Sequence, residues 1–281
     1  MRKISANLIL PVSSPPLKNG IISLDDEGRI RELSDTGGNL REEHGLEFYN
    51  GIIVPGFILP WMRLDEAGFG GGPETSEYPP ESQEHAAEIM HRLDQDLLLN
   101  GIKAVGLVIS ESIVSDGGFK RMAGSDLFYH PVIELCPEPD EDEFEVFNRG
   151  IDLVSRAWNE YKLSCSLTVC SPAMKKGDIG KYLREYNSSH ENVSAPEQGI
   201  PRLIYPSKAS LNILKIMQAS HPRKSIKEML PGFTLESAVK IFENDVLGSI
   251  EVGKKPGLNL ISGLDPESLR ITEKSSLKVL L

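Results

Sequence analysis

Hydrophobic and polar positions along this chain follow two periods, one of about two residues and one of about 3.6. Near the start, Lys3 to Leu10, Gly20 to Leu24 and Arg29 to Leu33 read as strands, the last alternating polar with apolar. Asp25-Asp26-Glu27-Gly28 lies between the second and third as a hairpin turn, with Gly28 free to take a positive φ. Gly51 to Val54 is apolar without a surface period, the composition of a strand buried on both faces, as in a parallel barrel sheet. Pro55-Gly56 bends the chain, and Phe57 to Pro60 reads as a second strand.

The period then lengthens. Ala86, Met90, Leu93 and Leu97 predict a helix over residues 81 to 100, stopped by Asn100-Gly101. Ile102 to Ile109 follows as a buried strand, and Tyr129 to Cys136 is another. Between that strand and one at Ser164 to Cys170, a helix from Glu141 to Lys162 carries Phe144, Phe147, Ile151, Val154, Trp158 and Tyr161 on one stripe. Such βα alternation predicts a parallel α/β sheet. Ile179 to Tyr186 continues as a short helix and Leu203 to Tyr205 as a brief strand. Leu211, Leu214 and Met217 mark a further helix, Ser225 to Glu228 has capping-box spacing, and strands return between Leu247 and Ile261.

With 281 residues, 40% of them hydrophobic and 25% charged, the chain has the balance of a globular protein with a large core. A formal net charge of -11 argues against nucleic acid and anionic membrane as partners, since both select basic surfaces. No apolar run approaches a spanning length, and the apolar start is broken by Ser5 and Asn7, unlike a signal peptide. Three cysteines, Cys136, Cys165 and Cys170, show no framework spacing, so a reducing cytoplasm is the expected compartment.

Read together, the ends of the chain resemble the amidohydrolase superfamily, in particular its deaminase and chlorohydrolase-like branch. Gly51-Ile52-Ile53-Val54-Pro55-Gly56-Phe57-Ile58-Leu59-Pro60 is similar to the line that in that family precedes a His-x-His pair holding the catalytic metal. Gly248-Ser249-Ile250-Glu251-Val252-Gly253-Lys254 is similar to its closing signature, with Pro256-Gly257-Leu258-Asn259 where Ala-Asp is usual. The resemblance implies a small β-sandwich built from both termini, residues 1–55 and 248–281, around an α/β barrel of the TIM type over 56–247. About 190 residues remain for that barrel, fewer than the ~250 usual for the fold, so a trimmed or incomplete barrel is expected.

The resemblance also implies where the metal ligands should stand, and each position holds something else. The His-x-His pair falls on Trp61 and Arg63, and three later ligand positions fall on Cys170, Pro196 and Pro206. Arg63 would repel a divalent ion; it either fills the vacated space, pairs with Asp65, Glu66 or Glu134, or meets an anionic ligand. Cys170 reads as a buried structural thiol, and the acidic run Glu138 to Glu143 as a helix cap. His85 and His91 lie six apart, off the spacing of four that zinc-binding helices need. The Gly68 to Gly72 cluster lacks the Lys-Ser/Thr of a phosphate loop and reads as a plain loop.

The expectation is therefore a noncatalytic amidohydrolase-like protein without cofactor. A pocket around Asp65, Glu66, His130 and Glu134 would take a small-molecule ligand. Such hydrolases often oligomerise, so assembly with itself or with a related active hydrolase is expected. The competing expectation is a hydrolase of non-peptide C–N bonds, working from a displaced site built of Cys170, His130, Glu134 or Asp65.

Overall fold

The computed structural model describes residues 1–41, 44–64, 82–111, 117–138, 140–170, 177–189, 202–205 and 211–281. Its contacts divide the chain into two units. One comprises Met1–Ile58, Gln95–Lys103 and Ser210–Leu281, the other Leu59–Asp94 and Ala104–Ala209.

In the first unit, strands from both ends of the chain share one sheet. From the N-terminal side come β1 (Arg2–Ile9), β2 (Leu17–Lys18), β3 (Ile21–Leu24), β4 (Ile30–Ser34) and β5 (Leu46–Pro55). From the C-terminal side come β11 (Leu258–Ser262) and β12 (Ser276–Val279). Their order is β12-β11-β5-β1-β3-β4, with β2 beside β1. The β3–β4 turn forms as its sequence predicts: Gly28 has φ +81°, and the Asp25 carboxylate accepts from the Glu27 and Arg29 amides. Ile4, Ile9, Ile22, Ile53, Ile250 and Leu258 form the core against this sheet.

The run Gly51 to Val54 does not join the barrel-type sheet. It is the inner end of β5, which runs parallel to β1 and antiparallel to β11. Ile53 and Val54 are fully buried, so the burial inference holds while the sheet assignment does not. The physical reason is that Leu46 to Asn50, only half covered, extends the strand backwards and supplies the register to β1. The helices α5 (Ile213–Ser220), α6 (Ile226–Met229) and α7 (Leu235–Lys240) also lie in this unit. The capping box at α6 is complete, with the Ser225 hydroxyl and Glu228 carboxylate serving each other's backbone amides.

The second sheet has the order β10-β6-β7-β8-β9, from β6 (Phe57–Leu64), β7 (Ile102–Ser110), β8 (Phe128–Leu135), β9 (Ser166–Val169) and β10 (Arg202–Tyr205). β10 pairs parallel with β6, β7 with β8, and β8 with β9. Helices α1 (Ser82–Leu99), α2 (Phe119–Ala123), α3 (Glu143–Tyr161) and α4 (Asp178–Ser189) alternate with these strands. Gly106 permits close approach of β7 to β6, since a Cβ there would stand 2.0 Å from the Pro60 carbonyl oxygen.

Helix α3 starts where the acidic run predicts a cap, the Asp142 carboxylate accepting from the Phe144 and Glu145 amides at 2.9 and 3.1 Å. Its buried face differs from the predicted aromatic stripe. Val146, Gly150 and Ala157 are buried, while Phe144 and Trp158 are 52% and 55% exposed. Small residues let the helix backbone sit directly on Leu135 and Leu167, whose methyl groups lie within 3.2 Å of where a Gly150 Cβ would be. The aromatic side chains then flank the contact; Phe144 and Phe147 pack on Tyr182 of α4 with ring centroids 5.6 and 5.5 Å apart.

Candidate functional site

In parallel α/β folds, chemistry gathers where the strands end, because the loops there can vary without disturbing the sheet. Here the register aligns Ser110 of β7 with Glu134 of β8, and Glu134 with Thr168 of β9. Residues two apart on a strand share a face. The Glu134 face therefore continues to Cys136, and the Thr168 face to Cys170.

Arg63, near the end of β6, reaches Glu134 on β8 with a two-pronged ion pair. Its Nη1 and Nη2 donate to Oε2 and Oε1, both at 2.6 Å. The Arg63 side chain is 39% exposed and that of Glu134 only 11%, so the carboxylate is the group that depends on its partner. Pairing with Glu134, one of the partners the sequence offered for Arg63, is formed, while the arginine also reaches solvent. Trp61, two residues earlier on β6, is half-buried and stands opposite Arg202 of β10. Asp65, Glu66, Pro196 and Pro206 lie outside the described residues.

A second charged knot lies at the ends of β7 and β8. Arg149 of α3 donates to Glu111 at 2.6 Å and to Glu141 in a shorter contact. The two carboxylates hold its guanidinium above the usual range, and Arg149 in turn holds the Glu141 carboxyl below its own.

His130 is placed deeper than Glu134. It precedes Glu134 by four residues on β8, about 13 Å at strand rise, and is buried with Nε2 2.8 Å from the Ser166 hydroxyl. Burial pushes its imidazole down to about 4, so the neutral ring is the form present at pH 7. Cys170 is exposed, which corrects its reading as a buried structural thiol. β9 ends at Val169, leaving Cys170 beyond the covered strand, whereas Cys165 before it is buried and has its thiol pushed up to about 12.

Sequence reasoning passed over Glu111, Arg149 and Cys136. Cys136 was findable, since it stands two residues past Glu134 and so shares its face. The Arg149–Glu111 contact joins residues 38 apart in sequence and leaves no local pattern.

The family resembled would put metal ligands at Trp61 and Arg63, in the last half of β6. The residues there do not fit a metal. The Trp61 indole has only a donor N–H, and Arg63 carries a fixed positive charge already committed to Glu134. Among the described residues, no group of three or more His, Cys, Asp or Glu stands where it could hold a metal ion. No helix among them is long and apolar enough to cross a membrane.

No protein-family model matches the sequence, and a search of curated proteins finds no match. Solved structures do match. An adenosine deaminase from Xanthomonas campestris with bound zinc aligns over 96% of this chain and 87% of its own, at TM-score 0.60 and 13% identity. Guanine deaminase of E. coli aligns over 93% and 89%, at TM-score 0.61 and 12% identity. The zinc-complexed atrazine chlorohydrolase TrzN from Arthrobacter aurescens aligns over 96% and 90%, at TM-score 0.62 and 12% identity.

Proposed function

From a fold shared with zinc-bound deaminases and chlorohydrolases, we propose that this chain binds a small molecule at its strand ends and does not perform metal-dependent hydrolysis. The observation that carries this reading is the Arg63–Glu134 pair. By the resemblance, Arg63 stands where a metal-ligand imidazole would be, and the Glu134 carboxylate neutralises its guanidinium at 2.6 Å. A cation brought to that place would have to displace or repel Arg63. In this reading residues 1–55 and 248–281 form the composite sandwich domain and 56–247 a trimmed barrel. The protein acts in the cytoplasm, assembled with itself or with an active relative.

A second reading is favoured by the neighbours, whose names are those of deaminases and hydrolases: a hydrolase of non-peptide C–N bonds with an unconventional site. The shared fold weighs towards this alternative, and the Arg63–Glu134 pair weighs against its metal-dependent form. Ammonia release from guanine and adenosine, and chloride release from a chlorinated triazine, separate the two. The first reading predicts background rates with and without added zinc. Turnover that saturates with substrate would establish the second.

A further inference from the structure

Cys136 and Cys170 each stand one residue past the last residue of neighbouring parallel strands, β8 and β9. The ladder ends with Leu135 opposite Val169, and the Cys170 amide completes that last pair by donating to the Leu135 carbonyl at 3.1 Å. Cys136 and Cys170 are the next residue on each strand, side by side where the ladder ends. Opposed residues of a parallel pair point to the same face, with strands about 4.8 Å apart. This spacing falls inside the roughly 4.4–6.8 Å between Cα atoms that a disulfide spans. The Cys170 thiol stands near enough to act on that of Cys136, and both residues are exposed. Cys165 belongs to a different environment, buried and donating to the Leu163 carbonyl at 3.7 Å.

We propose that Cys136 and Cys170 form a dithiol site that closes to a disulfide on reaction with a low-molecular-weight disulfide. The Cys170 thiolate attacks one sulfur of the small disulfide, whose S–S bond breaks and releases one thiolate. The Cys136 thiolate then attacks the Cys170 sulfur, forming the protein S–S bond and expelling the second small thiolate. The protein loses two protons and two electrons, and the small disulfide leaves as two thiols.

Cys136 suits the second role. Desolvation above all, then the adjacent Cys170 thiol and the nearby Glu134 and Glu111 carboxylates, push its thiol up to about 12, so little of it is thiolate at pH 7. It reacts once Cys170 has been captured beside it, where proximity replaces reactivity. Closure would tie the ends of β8 and β9 together beside Glu134. The proposal does not depend on what the neighbouring face binds. An exposed bond between two strand ends is of the labile kind that thiols reopen.

The test uses the full-length wild-type chain in graded mixtures of reduced and oxidised glutathione, followed by alkylation, digestion and mass spectrometry. The expected product is a Cys136–Cys170 cross-linked peptide that grows with the oxidised fraction and reopens with dithiothreitol. Cys165 should become alkylated only after unfolding. Raising the pH from 7 to 9 should speed closure several-fold, through the thiolate fraction. The proposal is overturned if glutathione adducts accumulate on both cysteines without a cross-link, if the cross-link joins Cys165, or if both thiols stay reduced in oxidised glutathione alone.

Discussion

Arg63 and Glu134 form a pair whose two members are unequally placed. The arginine keeps more than a third of its side chain in water, while the carboxylate is nearly covered. Removing Arg63 therefore leaves a charge that solvent cannot fully recover, and removing Glu134 leaves one that it can. Arg63→Ala should cost about 2 kcal/mol and Glu134→Ala about 1 kcal/mol in urea unfolding. The double variant should show a coupling of roughly 1 kcal/mol. Purely additive costs would mean that the pair contributes nothing.

At the same scale, buried His130 makes stability depend on pH. Its folded value, about 4, lies below the ordinary 6.5, so the unfolded chain binds the proton first as pH falls. Stability from this group is present above pH 6.5, is lost progressively between 6.5 and about 4, and falls no further below that. Between pH 7 and 5 the wild type should lose up to about 2 kcal/mol more than His130→Gln. Parallel losses in the two proteins would contradict the burial of a neutral imidazole.

Elements carry their own predictions. Gly106→Ala places a methyl against the Pro60 carbonyl and should destabilise by about 1–3 kcal/mol, read from the urea midpoint. Ser225→Ala removes the cap of α6 and should cost about 1 kcal/mol, read as a lower Tm. Elements of this size were also the most legible part of the sequence. The period of Met90, Leu93 and Leu97 located α1, and the apolar runs located β7 and β8, because burial of a repeating face is a local property of the chain. What depended on partners far along the chain was not legible. The composition of Gly51 to Val54 pointed to a barrel strand, and only the pairing of β5 with β1 and β11 shows it in the terminal sheet. The stripe on α3 read as aromatic, whereas Gly150 and Ala157 set the close contact and leave Trp158 exposed. In the candidate site, the sequence named Glu134 among three partners for Arg63, and only the register across β7 selects it. α2 (Phe119–Ala123) was not anticipated, since five residues are too few to show a period.

At the scale of the whole molecule, the likeness to known proteins is one of fold. The chain aligns along nearly its full length with deaminases and a chlorohydrolase, yet does so at 12–13% identity. Identity that low carries an arrangement of strands and helices and leaves the side chains free to change. The side chains where β6 ends have changed from metal ligands, as the resemblance has them, to an indole and a paired guanidinium. The proposal is thus one of subtraction, a fold shared with those hydrolases but without their grip on a cation. Elemental analysis of the full chain, purified without chelator and desalted after incubation with excess zinc, tests it most directly. The account predicts zinc and iron far below one atom per chain in both the purified and the zinc-incubated samples. Retention of a stoichiometric metal by the folded chain, in either sample, would contradict it.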